Sequence, residues 1–256
     1  MGKTKMERIK PFWLIPVVTI LILIFQEFAG RMGGGVASSF SYGRIDPHGT
    51  FAWVSVGHTV QMLVALMVIW ILALAMKLDF GFGLGDVKVG LKHVFDFFIV
   101  VLVFLTVSWT IVFFLGDLLV PDFPLNRTNV VGTLGFQLLL TGPSEEILFR
   151  ALPITLLAYS FKAIKFTWSI RLFRNEISLE TIITAILFSF AHIGWIIHPF
   201  SIVTLQVEQL ILSFVYGIFY GVAYQKSKSI IYPMIMHSMS NVMAVGSRYI
   251  LLVFFG

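Results

Sequence analysis

The chain has 256 residues, 58% of them hydrophobic and only 12% charged, with a mean hydropathy of +0.92. A soluble domain carries about 25% charged residues, so this composition excludes a water-soluble domain, a disordered chain and a coiled coil; it points to an all-α polytopic transmembrane bundle. The net charge of +5 follows basic residues placed between apolar runs, which is a signature of membrane topology and implies no nucleic-acid partner. The absence of cysteine removes disulfides, thiolate metal sites and cysteine nucleophiles.

At roughly 20 residues per span, the apolar runs predict seven helices in chain order. The first covers about 12–28, after Lys3, Lys5, Arg8 and Lys10, and is retained because Gln26-Glu27-Phe28-Ala29-Gly30 makes a poor signal-cleavage site. A Gly- and Ser-rich loop follows over 31–50. Helices two and three are expected at about 52–76 and 94–119, the latter with Asp96 and Asp117 near its ends. Helix four runs from about 130 to 159, broken at Pro143, where a fresh helical segment is expected to start. Helices five, six and seven are expected at about 181–197, 201–224 and from 230 toward 245. Residues 249–255 are too few to span alone, so they extend helix seven or lie along the interface as an eighth segment. The chain divides into 1–129, with helices one to three, and 130–256, with helices four to seven as the catalytic core.

Placing the N-terminus in the cytoplasm puts thirteen basic residues inside and four (Arg31, Arg44, Arg127, Arg248) outside, with Arg150 within a helix. That asymmetry predicts a multi-pass protein of the cell membrane with a cytoplasmic N-terminus.

Charges at bilayer depth are costly and mark function. The densest group is Thr141-Gly142-Pro143-Ser144-Glu145-Glu146-Ile147-Leu148-Phe149-Arg150. Glu146 and Arg150 are four apart, acid first, the better order for an ion pair on one helical face. Glu145 is rotated about 100° from Glu146 and has no such partner, which leaves it as a desolvated carboxylate suited to general-base work. The competing reading is a buried ion cluster that only locks helices together. His192 stands four residues after Phe188 on helix five, and His237 four before Asn241 on helix seven. Counted inward from the cytoplasmic ends, Glu145, His192 and His237 lie roughly 20, 17 and 10 Å deep, compatible with one cavity between the midplane and the cytoplasm.

These residues resemble a known set. Glu145-Glu146-x-x-x-Arg150, Phe188-x-x-x-His192 and His237-x-x-x-Asn241 are similar, in order, to the three motifs of the CPBP family, the CAAX-protease and bacteriocin-processing (Abi) intramembrane endopeptidases. The resemblance covers about 135–245; helices one to three match no known pattern, and relatives often carry one more helix after the third motif. It implies a peptidase in which Glu145, His192, His237 and Asn241 carry the reaction. Two mechanisms fit those residues. Glu145 activates water with His192 orienting it, while His237 and Asn241 donate to the oxyanion. Alternatively, Glu145, His192 and His237 ligate zinc, with Glu146 supporting the ligands or acting as the base.

Expected substrates are lipidated or transmembrane peptides in the bilayer: prenylated CAAX tails, bacteriocin or pheromone precursors, or membrane-protein segments. The rival readings are a non-catalytic membrane scaffold and a proton-coupled transporter. Outside the motifs, Gly217-x-x-x-Gly221 predicts close helix packing, and Gly83-Leu84-Gly85-Asp86 a glycine turn. Glu208 either lines a substrate path or faces the bundle near the outer interface, and His58 and Gln61 on helix two have the same two readings.

Overall fold

The computed structural model describes residues 12–115, 123–172, 175–196 and 200–255. Lys3, Lys5, Arg8, Lys10, Asp117, Arg174 and His198 lie outside the described residues. Within them run seven helical stretches: α1 (Leu14–Ala37), α2 (Ala52–Met76), α3 (Val87–Leu115), α4 (127–163), α5 (Leu179–Phe190), α6 (Val207–Ser227) and α7 (Ile231–Phe255). Two short antiparallel hairpins join them, β1 (Ser169–Leu172) with β2 (Asn175–Ser178), and β3 (Gly194–Ile196) with β4 (Ser201–Thr204). Helices α1, α2, α3, α6 and α7 are long and apolar enough to cross a membrane. The described residues form a predominantly helical, multi-pass membrane protein.

Several boundaries differ from those expected. Residues 31–37 continue α1 instead of forming a loop, because Gly33 lies against Gly57 of α2 where a Cβ would collide with the Gly57 carbonyl. The glycines there are a helix contact. Helix α3 starts at Val87, where Gly85, at φ 55°, leaves the chain close enough for Asp86 N–H to reach the Ser227 carbonyl at 2.7 Å. Helix α5 stops at Phe190, so His192 is not on it. His192 lies in a following turn closed by its own N–H on the Ser189 carbonyl (3.1 Å) and by Ile193 N–H on that of Phe190 (3.0 Å). Residues Ser201–Thr204, expected in helix six, form β4; Ile202, Val203 and Thr204 are all β-branched, which suits a strand. At the C-terminus, α7 runs on to Phe255, and no eighth helix is present among the described residues.

Helix α4 is one unbroken run, not a broken pair, and its sequence explains how. Two π-helical turns, Gln137–Thr141 and Ile147–Ala151, interrupt its α-helical register. Each is followed within two residues by a proline, Pro143 and Pro153. Proline lacks the N–H for an ordinary helical bond and crowds the preceding turn, and a widened turn just before it absorbs both problems. The second π turn also receives outside support: the Leu148 carbonyl accepts from Gln26 Nε2 of α1 at 3.2 Å.

Every residue from Glu146 to Ile154 is buried, so α4 is the central helix, packed against Ala29 of α1, Val64, Ala65 and Ile69 of α2, and Phe188 of α5. Glu145 stands eighteen residues, roughly 27 Å, from either end. Helix α6 approaches α5 through the expected small-residue stripe. A Cβ on Gly217 would lie 2.9 Å from Arg150 Nη2 and 3.1 Å from the Ala185 Cβ, and one on Gly221 would lie 2.8 Å from Thr181 Cγ2. Gly217→Val is therefore expected to cost about 1–3 kcal/mol by overpacking, read as a lower unfolding temperature in detergent; unchanged stability would refute the close approach.

The connection between α1 and α2 is held by Asp46. Its buried carboxylate accepts from the N–H groups of Thr50 (2.9 Å), Phe51 (2.8 Å) and Ala52 (2.7 Å), capping the start of α2. Burial alone would raise this carboxyl, but the backbone N–H donors outweigh it and hold it below its usual range. With the folded value depressed, the contribution to stability is full above the unfolded carboxylate pKa and is lost as pH falls through the folded one. Asp46→Asn is expected to cost about 1 kcal/mol at neutral pH, with the gap to wild type closing at acid pH. A gap independent of pH would exclude the carboxylate as its source.

Candidate active site

The π turns and the interhelical contacts set two adjacent glutamates to different tasks. Glu146 is fully buried and Arg150, four residues on, is too, with Arg150 Nη1 3.3 Å from Glu146 Oε1. The guanidinium also lies over the Phe188 ring, 4.0 Å from its centre, and 5.3 Å from that of Tyr220. Glu146 Oε1 also accepts a hydrogen bond from His237 Nδ1 at 2.8 Å. Glu145 is left with 16% of its side chain exposed, facing cavities, with His237 Nε2 at 3.7 Å and His58 Nδ1 at 3.8 Å.

Partner chemistry fixes the imidazole tautomers. A carboxylate can only accept, so His237 Nδ1 carries the hydrogen toward Glu146, with Nε2 turned toward Glu145. His192 Nδ1 lies 2.9 Å from the Phe188 carbonyl, so it too is protonated at Nδ1. Ser144 Oγ donates to the Thr141 carbonyl at 3.1 Å and therefore accepts from His58 Nδ1 at 2.8 Å. A second layer steadies the first. Tyr220 stacks on His237, with ring centres 5.0 Å apart and planes at 18°, and its hydroxyl reaches Ser240 Oγ at 2.9 Å. Asn241 Nδ2 donates to Gln137 Oε1 at 2.9 Å.

Two cavities meet at this cluster. One, of 350 Å³, lies between α2, α3, α4, α6 and α7 and is lined by His237, Asn241 and Gln137 among others. The second, of 490 Å³, lies between α1, α2, α4, α5 and the β3–β4 hairpin, with a largely apolar wall that includes Leu23, Phe149, Trp195 and Ile202. Glu145, His58, Phe188 and His192 line both. The first cavity extends from His237 toward Val54, Leu105 and Ala244, the end of the bundle where α2 begins. The other end is filled by Leu148, Leu152, Phe80 and Ile230. The first cavity thus extends toward the end of the bundle opposite the start of α1.

The structure therefore brings Glu145, Glu146, His237, Arg150 and Phe188 together, with His192 and Asn241 on the same cavity walls. His58 joins them from α2, outside the three motifs. Sequence offered one signal for it, an imidazole on an apolar helix, and no way to know which way it faced. Tyr220, Ser144 and Gln137 gave no signal beyond polarity at depth. Glu208 is exposed on the first turn of α6, where a helix N-terminus favours an acid. As for a metal, no three His, Asp or Glu side chains among the described residues are gathered so that they could hold one. The trio Glu145, His192 and His237 does not fit a metal in this arrangement.

Residues 127–243 match the family model of the Rce1-like type II CAAX prenyl endopeptidases, just under half of the chain. All three motifs and the whole glutamate–histidine cluster except His58 fall inside that segment. No curated protein and no solved structure matches the chain. The matched segment is similar to Rce1-like domains, which is consistent with the CPBP family and supports a CAAX-type intramembrane endopeptidase at family level.

Proposed function

From the Rce1-like domain at 127–243 as premise, we propose that this chain hydrolyses a peptide bond near the C-terminus of prenylated, membrane-attached peptides, with Glu145 as general base. The observation that carries the reading is Glu145 itself. It is a carboxylate on the wall of two cavities, within 3.8 Å of two imidazoles, while its neighbour Glu146 is engaged by Arg150 and His237. The apolar 490 Å³ cavity beside it suits an isoprenoid or other hydrocarbon chain, and the more polar 350 Å³ cavity suits the peptide.

In this mechanism Glu145 takes a proton from a water molecule as the water oxygen attacks the scissile carbonyl. The oxyanion is met by Asn241 Nδ2, which lines the cavity while Gln137 fixes its amide, and by the Nε2–H of His237 in the enzyme form that has taken a proton from solvent before attack and keeps it throughout. Glu146 on Nδ1 stabilises that imidazolium as the buried carboxylate does in a Ser-His-Asp triad. Glu145 then passes its proton to the leaving nitrogen as the C–N bond breaks. His192, anchored through Nδ1 on the Phe188 carbonyl, orients the water. No step uses a metal, and the metal-independent mechanism predicts that activity survives chelation. Loss of activity with a chelator and its return with zinc would overturn it.

The basic residues Lys77, Lys88, Lys92, Lys162, Lys165, Lys226 and Lys228 lie at the end where α3 and α7 begin. This supports a cytoplasmic N-terminus, with the catalytic cavity opening toward the opposite face. The test of function is cleavage of farnesylated CAAX peptides in proteoliposomes, comparing wild type with Glu145→Gln. No cleavage of lipidated or transmembrane peptides by wild type would remove the peptidase reading and favour a scaffold.

A further inference from the structure

A third cavity, of 550 Å³, lies between α3, α6 and the β1–β2 hairpin and shares no lining residue with the two at Glu145. Helix α6 presents Val215, Ile218 and Val222 to it, a stripe at helical spacing, and the next position of that stripe is Lys226. On α3 the wall begins at His93 and Asp96 and becomes apolar through Val100. The hairpin closes the third side by strand alternation. Ile170 lies opposite Ile177 and both face the cavity with Leu172, while Arg171 and Glu176 pair on the other face. The walls are open at the protein surface: Val100 and Val215 are each 40% exposed, and Leu172 51%.

One end of this groove is cationic. Lys92 and Lys226 both stand within electrostatic reach of His93, and the single acid there, Asp96, is paired with Lys92. The groove thus offers an apolar floor at hydrocarbon depth that ends in a surplus of positive charge, at the lysine-rich end of the bundle. Bilayer chains would fill an apolar groove in any case. The cationic end is what makes it selective, because a phospholipid carries an acyl chain and a negative headgroup in one molecule, and clustered lysines at a membrane surface attract anionic lipids.

We propose that this groove is a binding site for one anionic glycerophospholipid, its acyl chain along Val215, Ile218 and Ile170 and its headgroup at Lys226 and Lys92. The site is independent of the peptidase chemistry.

The test is native mass spectrometry of the full chain released from detergent after exchange into phosphatidylglycerol or phosphatidylcholine of identical acyl chains. The expected result is one retained lipid per chain, with at least a ten-fold preference for phosphatidylglycerol. Lys226→Gln should reduce that preference by roughly five-fold, the effect of about one lysine at a membrane surface, and Lys226→Arg should restore it. Val215→Trp, at a half-exposed position that tolerates bulk, should fill the groove and remove the retained lipid of either kind. Equal retention of the two lipids, or a preference unchanged by Lys226→Gln, would overturn the proposal. So would displacement of the retained lipid by a farnesylated peptide without any headgroup preference, which would make the groove a substrate site.

Discussion

Replacing Arg150 with methionine is expected to destabilise the bundle by about 3–5 kcal/mol, read as a thermal midpoint lower by roughly 10 °C in detergent. Arg150 and Glu146 are both fully buried at 3.3 Å, and the guanidinium is sandwiched against Phe188. Methionine would preserve much of the packing, since most of the arginine stem is apolar. What it removes is the counter-charge, leaving Glu146 ionised at the centre of the molecule with only the His237 N–H to compensate. The cost therefore belongs to the abandoned carboxylate, not to a lost contact. That argument has a sharper consequence. Glu146→Gln combined with Arg150→Met should recover most of the stability, because a buried pair replaced on both sides by neutral groups leaves no orphaned charge. The amide oxygen that Glu146→Gln introduces would still accept from His237 Nδ1 and hold the ring. If the double variant were as unstable as the single one, the pair would be acting through shape and not charge.

The same pair shows what a sequence can disclose. Glu146 and Arg150 were legible because both lie on one helix, where a four-residue spacing is a contact. The Gly217 and Gly221 stripe was legible for a similar reason, as was α2, whose apolar run has clean ends at Ala52 and Met76. Contacts between helices have no such ruler. His58 is eighty-six residues from the Ser144 it bonds to, and nothing in its own surroundings on α2 distinguishes it from a core histidine. Tyr220 was hidden in the same way, its partner His237 being on another helix.

Hydropathy also hid the two hairpins. Residues 194–204 mix Trp, Ile, Phe, Val and Thr, and inside a long apolar stretch they read as helix until the break after Phe190 is seen. The π turns in α4 were foreshadowed only by Pro143 and Pro153, which signal a disturbed helix without saying how it is repaired. His192 illustrates the consequence. Its spacing from Phe188 reads as one helical face, yet the contact survives because the turn after α5 continues the curl of the helix, placing Nδ1 on the Phe188 carbonyl.

The second large effect concerns Glu145. Glu145→Gln is nearly isosteric and keeps a group that can hydrogen-bond near His237 and His58, so the fold should be unaffected. An amide cannot take the proton from water, and loss of a general base lowers kcat by about 10²–10⁴-fold; KM for the lipidated peptide should change little, because the apolar cavity that would hold the chain is intact. His58 separates the roles further. It touches Ser144 through Nδ1 and stands beside Glu145 without a hydrogen bond to it, so it positions the base and lines the site. His58→Gln is expected to lower kcat by about ten-fold, well below the general-base effect, again with KM preserved. A merely structural role for His58 would instead lower stability and leave kcat per folded molecule unchanged. If Glu145→Gln retained wild-type kcat while Glu146→Gln lost it, the base would be Glu146. The division of labour drawn from the Arg150 and His237 contacts would then be reversed.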